Sequence, residues 1–205
     1  MGGWLPAPWN FVRKLRELRA HLKAERVDEI ARRYLVMNAF DGSLAILSVV
    51  VSAYLVGAAE PKIIVAIGLA NCVAMAISGF TGTLMTEKAE RTRRLRELES
   101  IMLTSLKDSD FGRVSTVASV YAALVDGAAP LLAGLVGLSP LIAAIFLPLE
   151  VELAVWASLA VTMATLFALG AFLGRISRGN VLLSGLKMVA IGCITALLCS
   201  ILKAV

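Results

Sequence analysis

Five stretches of this chain, each about twenty residues long and almost free of charge, decide what it can fold into. They run over Tyr34–Val56, Ile63–Leu84, Val114–Val136, Leu153–Leu173 and Val181–Leu202. A helix of about twenty apolar residues matches the hydrocarbon core of a bilayer, and a helix satisfies its own backbone where no water can. The sequence therefore predicts an all-α integral membrane protein with five transmembrane helices. Composition agrees: 59% of the 205 residues are hydrophobic and the mean hydropathy is +0.82, against roughly 45–50% apolar residues in soluble domains. A shorter apolar run, Ser139–Leu147, ends at Pro148. It is too short to cross, and reads as an interfacial or re-entrant turn or as an extension of the third helix.

The net charge of +5 is unevenly spread. Basic residues crowd before the first span, from Arg13 to Arg33, between the second and third, from Lys88 to Arg113, and at Arg175 and Arg178 between the fourth and fifth. The other set of loops holds mainly Lys62, Lys203 and the acids Glu60, Glu150 and Glu152. The positive-inside rule then predicts a cytoplasmic N-terminus and an external C-terminus. Residues 1–33 read as a basic amphipathic helix on the cytoplasmic membrane surface, with Phe11, Leu15, Leu18 and Leu22 at helical spacing and Trp4 and Trp9 at headgroup level. Topology accounts for these basic residues, so no nucleic-acid partner is implied. Residues 34–205 form the five-helix membrane domain, interrupted by a short basic cytoplasmic connection at 85–113. In that connection the pairs Glu87–Arg91 and Glu90–Arg94 sit at the i, i+4 spacing of a solvated helix continuing the second span, and "KDSDFG" reads as a turn and cap. Cys72, Cys193 and Cys199 lack the spacing of a disulfide framework or metal motif.

Two aspartates stand inside apolar spans, Asp41 in the first and Asp126 in the third. A carboxylate at mid-membrane costs about 2.5–3.5 kcal/mol even on the mildest insertion scale, and such residues usually mark ion or proton paths. Each is followed by a glycine, Gly42 and Gly127, that permits close helix approach. In the second span Asn71, Met75 and Ser78 share one helical face. Carboxylate and amide oxygens with a thioether sulfur suit a borderline divalent cation, so Asp41, Asn71, Met75, Ser78 and Asp126 are the candidate metal residues, Asp126 as second ligand or proton carrier. No nucleophile–base set, phosphate loop or cofactor fingerprint is present in the sequence, and neither enzymatic activity nor a bound cofactor is expected.

The order of several motifs resembles the vacuolar iron transporter family, also known as the yeast calcium-cross-complementer or nodulin-21-like family. "RRYLVMNAFDGSLAIL" is similar to its first helix, "GLANCVAMAISGFTGTL" to its second, "YAALVDGAAPLL" to its third, and "LAVTMATLFALGAFLGRISRGN" with "SGLKMVAIGCITALL" to its last two. The resemblance implies export of Fe(II) or Mn(II) from the cytosol in exchange for protons. It also implies a homodimer whose first and second helices line a path at the two-fold axis, with Asp41 as the carboxylate of the pore-lining first helix. The chain departs from the family pattern at three positions: Tyr34 stands where a further acid is expected, Asn71 replaces an acid of the second helix, and Gly79 replaces a methionine. It also lacks the glutamate-rich cytoplasmic metal-binding region. The expectation is thus a divergent member that moves a divalent cation, in the plasma membrane of a prokaryote or the vacuolar or another organellar membrane of a eukaryote. The alternative is a non-transporting membrane assembly protein whose aspartates make only structural hydrogen bonds.

Overall fold

The computed structural model describes residues 27–58, 60–103, 110–147 and 149–202. These form five helices: α1 (Val27–Val56), α2 (Pro61–Met102), α3 (Asp110–Phe146), α4 (Val151–Ile176) and α5 (Val181–Leu202). Every one contains a stretch long and apolar enough to cross a membrane. Of the interfacial helix expected over residues 1–33, residues 1–26 lie outside the described residues and 27–33 belong to α1; of the turn expected at 107–112, residues 107–109 lie outside and 110–112 already belong to α3.

Connections fix the ends of the helices. Pro61 opens α2, where its missing N–H leaves no further donor unpaired. Asn180 precedes α5, and its Oδ1 accepts the backbone N–H groups of Leu182 and Leu183 at 3.1 and 3.2 Å, two of the four donors a helix start leaves orphaned. The second span does continue into a charged extension, as its acid–base spacings indicate, and α2 ends only at Met102. The short run Ser139–Leu147 resolves as an extension of α3, which passes through both Pro130 and Pro140. Pro140 has no amide to offer the carbonyl four residues back. That carbonyl, Val136 O, instead accepts the Ser139 hydroxyl at 2.7 Å, and Leu138 and Leu141 anchor the extension in the core.

Helix α3 is the centre of the bundle, packed against α1, α2 and α4, while α5 packs mainly on α4. The apolar core lies toward the ends of α1 and α3 remote from the arginines: Ile46, Val50, Ile64, Cys72, Leu138, Leu141 and Val155 close on one another there. Glycines bring the backbones together. A Cβ on Gly42 would stand 2.7 Å from Pro130 Cα, and one on Gly127 would stand 2.7 Å from the Ala76 carbonyl oxygen. Both aspartate-following glycines thus serve the close approach that the sequence suggested, Gly42 between α1 and α3 and Gly127 between α2 and α3.

Candidate functional site

The two membrane aspartates have opposite surroundings. Asp126 is buried, 4% exposed, where α1, α2 and α3 meet. The Asn38 side-chain amide of α1 donates to its Oδ1 and the Thr83 hydroxyl of α2 donates to its Oδ2. Gly79 makes room for this carboxylate: a Cβ there would be 3.2 Å from Asp126 Oδ2. Pro130, four residues on, removes the amide that would otherwise bond to Asp126's own carbonyl, and that oxygen also faces Gly79. Every buried side-chain oxygen and nitrogen among the described residues has a partner.

Asp41 lies on the other side of α1. The buried face of that helix is Val36, Ala39, Gly42, Ser43, Ile46, Leu47 and Val50. Asp41 points away from it and is exposed in the single chain. No hydrogen bond or ion pair to its side chain is found among the described residues. Steps of three and four residues connect Tyr34, Asn38, Asp41, Ala45, Ser48 and Ser52, so a polar, small-residue stripe runs the length of the span along one side of the helix. Its members range from half-buried to exposed.

On α2, Asn71 and Met75 are half-buried and Ser78 is exposed. They follow one flank of the helix beside its packed face of Ile64, Gly68, Cys72 and Thr83. Asp126, by contrast, is enclosed between helices rather than set on an open face. Within one chain no group of three or more His, Cys, Asp or Glu side chains among the described residues is close enough to hold a metal ion.

Four residues besides Asp126 were not singled out by the sequence as parts of one arrangement. Thr83 reaches Asp126, and Glu87, one turn further along α2, accepts the Tyr34 hydroxyl of α1 at 3.1 Å. Asn38 also donates to the Tyr34 carbonyl at 3.2 Å. The result is a polar chain linking Glu87, Tyr34, Asn38, Asp126 and Thr83 across three helices. Arg91 Nε stands 3.3 Å from Glu87 Oε2, with side chains only 10% and 13% exposed. The neighbouring pairs Arg93–Glu97 and Arg94–Glu90 are more than half exposed. Both expected i, i+4 pairs form, yet Glu87–Arg91 is a sheltered clamp against α1 and only Glu90–Arg94 is solvated. The available signal was spacing: Gly79, Thr83 and Glu87 recur every four residues on one face of α2.

The VIT family model matches residues 97–202, from the charged end of α2 through α5. An uncharacterized protein of Methanocaldococcus jannaschii is 32% identical to this chain over 178 residues, which cover 85% of this chain and 90% of the relative. With five helices of membrane-crossing length, this multi-pass integral membrane protein belongs to the VIT family.

Proposed function

We propose that the protein carries a divalent metal cation, Fe(II) or Mn(II) in kind, out of the cytosol in exchange for protons. In this reading the path lies between two copies of the chain and is lined by α1 and α2. The observation that carries it is the placement of Asp41: a carboxylate in mid-span, on the outward side of α1, exposed and without a hydrogen-bond partner among the described residues. Facing lipid, that group would be strongly unfavourable. Facing a second copy across a two-fold axis, it would meet its own equivalent. Two carboxylates repel unless a cation or proton stands between them, which is what a transport site requires.

Asn71, Met75 and Ser78 supply amide, thioether and hydroxyl donors from α2. The mixture of hard oxygens and one soft sulfur favours a borderline ion over Ca(II) or Mg(II). Asp126 takes a different part in this proposal. Already holding two hydrogen bonds between three helices, it fixes α1 and α2 against α3 instead of binding the cargo. The arginine-rich end faces the cytosol by the positive-inside rule, and family membership supports a transporter rather than an enzyme.

The experiment is metal-dependent flux in proteoliposomes for the native chain and for Asp41→Ala and Asp41→Asn. The proposal expects flux in the native protein and none in either variant, with both variants still folded and dimeric. Native flux that persists in Asp41→Ala contradicts it.

A further inference from the structure

At the arginine-rich end of the bundle, a crevice of about 700 Å³ opens between α1 and the α4–α5 pair. Asp41 is not among the residues that line it. Its walls are apolar, formed by Met37 and Phe40 of α1, Leu173 and Ile176 of α4, and Met188 of α5. Met37, Leu173 and Ile176 are 52%, 42% and 45% exposed, so no part of the described chain fills the groove. Arg32 and Arg33 stand at the rim, with Glu29 beside them.

Further cations lie close in sequence to the lining residues. Arg175 precedes Ile176, Arg178 follows it within the same turn, and Lys187 precedes Met188. Of the residues that line the crevice, two are cations and one is an acid. The Arg33 guanidinium sits over the Tyr34 ring, 5.5 Å from its centroid. This cation–π contact helps to hold the guanidinium at the rim. Phe40 lies seven residues along the helix from Arg33, about 10 Å deeper at the helical rise. The site therefore changes from cationic to apolar over the distance that separates a lipid phosphate from the start of its acyl chains.

We propose that this crevice binds one anionic phospholipid, with its phosphate on Arg32 and Arg33 and an acyl chain along the wall of α1, α4 and α5. Basic pockets between transmembrane helices recognise acidic headgroups by this combination of charge and groove. The proposal is independent of cation transport, because it concerns a different side of α1 and needs no metal.

The test is native mass spectrometry of the purified full chain after exchange into mixed phosphatidylglycerol and phosphatidylcholine, with thermal stability in each lipid alone. The expected result is one phosphatidylglycerol retained per chain, preferred at least about tenfold over phosphatidylcholine, and a higher Tm in phosphatidylglycerol. Arg32→Gln combined with Arg33→Gln should bring the preference close to parity. Leu173→Trp fills the exposed groove without changing charge, and should reduce retention of both lipids. Equal retention of the two lipids by the native chain would overturn the proposal, as would an undiminished preference in the double glutamine variant. Should that variant fail to fold, unchanged phosphatidylglycerol retention in Leu173→Trp overturns it equally.

Discussion

Asp41 and Asp126 look alike in the sequence, since each is followed by glycine and each interrupts an apolar run. Their environments separate them. Asp126 is enclosed and its oxygens accept from Asn38 and Thr83, whereas Asp41 is exposed and makes no hydrogen bond among the described residues. Removing the Asp126 carboxylate would strand two donors in a dry junction, so Asp126→Ala should destabilise the protein by about 1–3 kcal/mol. Asp126→Asn keeps one acceptor oxygen but sets an NH2 group against one of the two donors, and should fall between native and Ala. Thermal unfolding in a mild detergent measures both; a native-like Tm for Asp126→Ala would show that the junction contributes nothing. The sequence revealed that two costly groups were present and that small residues let their helices approach. It could not show which way either carboxylate pointed, because a one-position difference on a helix turns a side chain by about 100° and the burial of α1 on both its packed sides depends on which helices flank it. Thr83 and Glu87 escaped notice for a related reason: a threonine in an apolar span and a glutamate beside an arginine both have ordinary explanations until α1 is placed against them.

At the scale of the helices, glycine contacts set the distances on which the polar junction depends. Gly42 meets the Pro130 backbone, and neither partner is the flexible end of a side chain. Gly42→Val should therefore push α1 from α3, at a cost of about 1–3 kcal/mol for overpacking, and also loosen the Asn38–Asp126 contact. A lowered Tm is the expected readout; an unchanged Tm would show that α1 adjusts freely. Five spans and the α2 extension were legible because long apolar runs and acid–base spacing are properties of the chain itself. The fate of Ser139–Leu147 was not, since it rests on Leu138 and Leu141 finding the core and on Ser139 capping the carbonyl that Pro140 releases. The outward stripe on α1 gives a further prediction about assembly. In the proposed dimer, cysteines at Ser48 or Ser52 should cross-link between copies in the membrane, while cysteines at the inward Ser43 and Leu47, 1% and 0% exposed, should not. The reverse pattern would contradict a two-fold axis beside Asp41.

For the whole molecule, the structure gathers the basic clusters among the described residues at one end. Tyr34 at the start of α1 reaches Glu87 near the charged extension of α2, and Arg33 shares a crevice with Ile176 at the end of α4. An odd number of spans sends the two ends of the helical domain to opposite sides, and the positive-inside rule predicts that the arginine-rich end faces the cytosol. In a variant with Cys72, Cys193 and Cys199 replaced, single cysteines at Glu97 and Leu202 should label from opposite sides of sealed vesicles; labelling of both from one side contradicts this topology. The central claim is that Asp41 binds a transported cation across a dimer axis. A metal ligand must be deprotonated, so affinity for Fe(II) or Mn(II) should fall as the pH falls, and a bound ion should raise the stability of the folded protein. The most direct measurement is metal binding by the purified protein, read as ion-dependent thermal stabilisation across pH, for the native chain, Asp41→Asn and Asp41→Ala. The account predicts stabilisation that weakens with acidification in the native chain and is absent from both variants; native-like, metal-dependent stabilisation of both variants would contradict it.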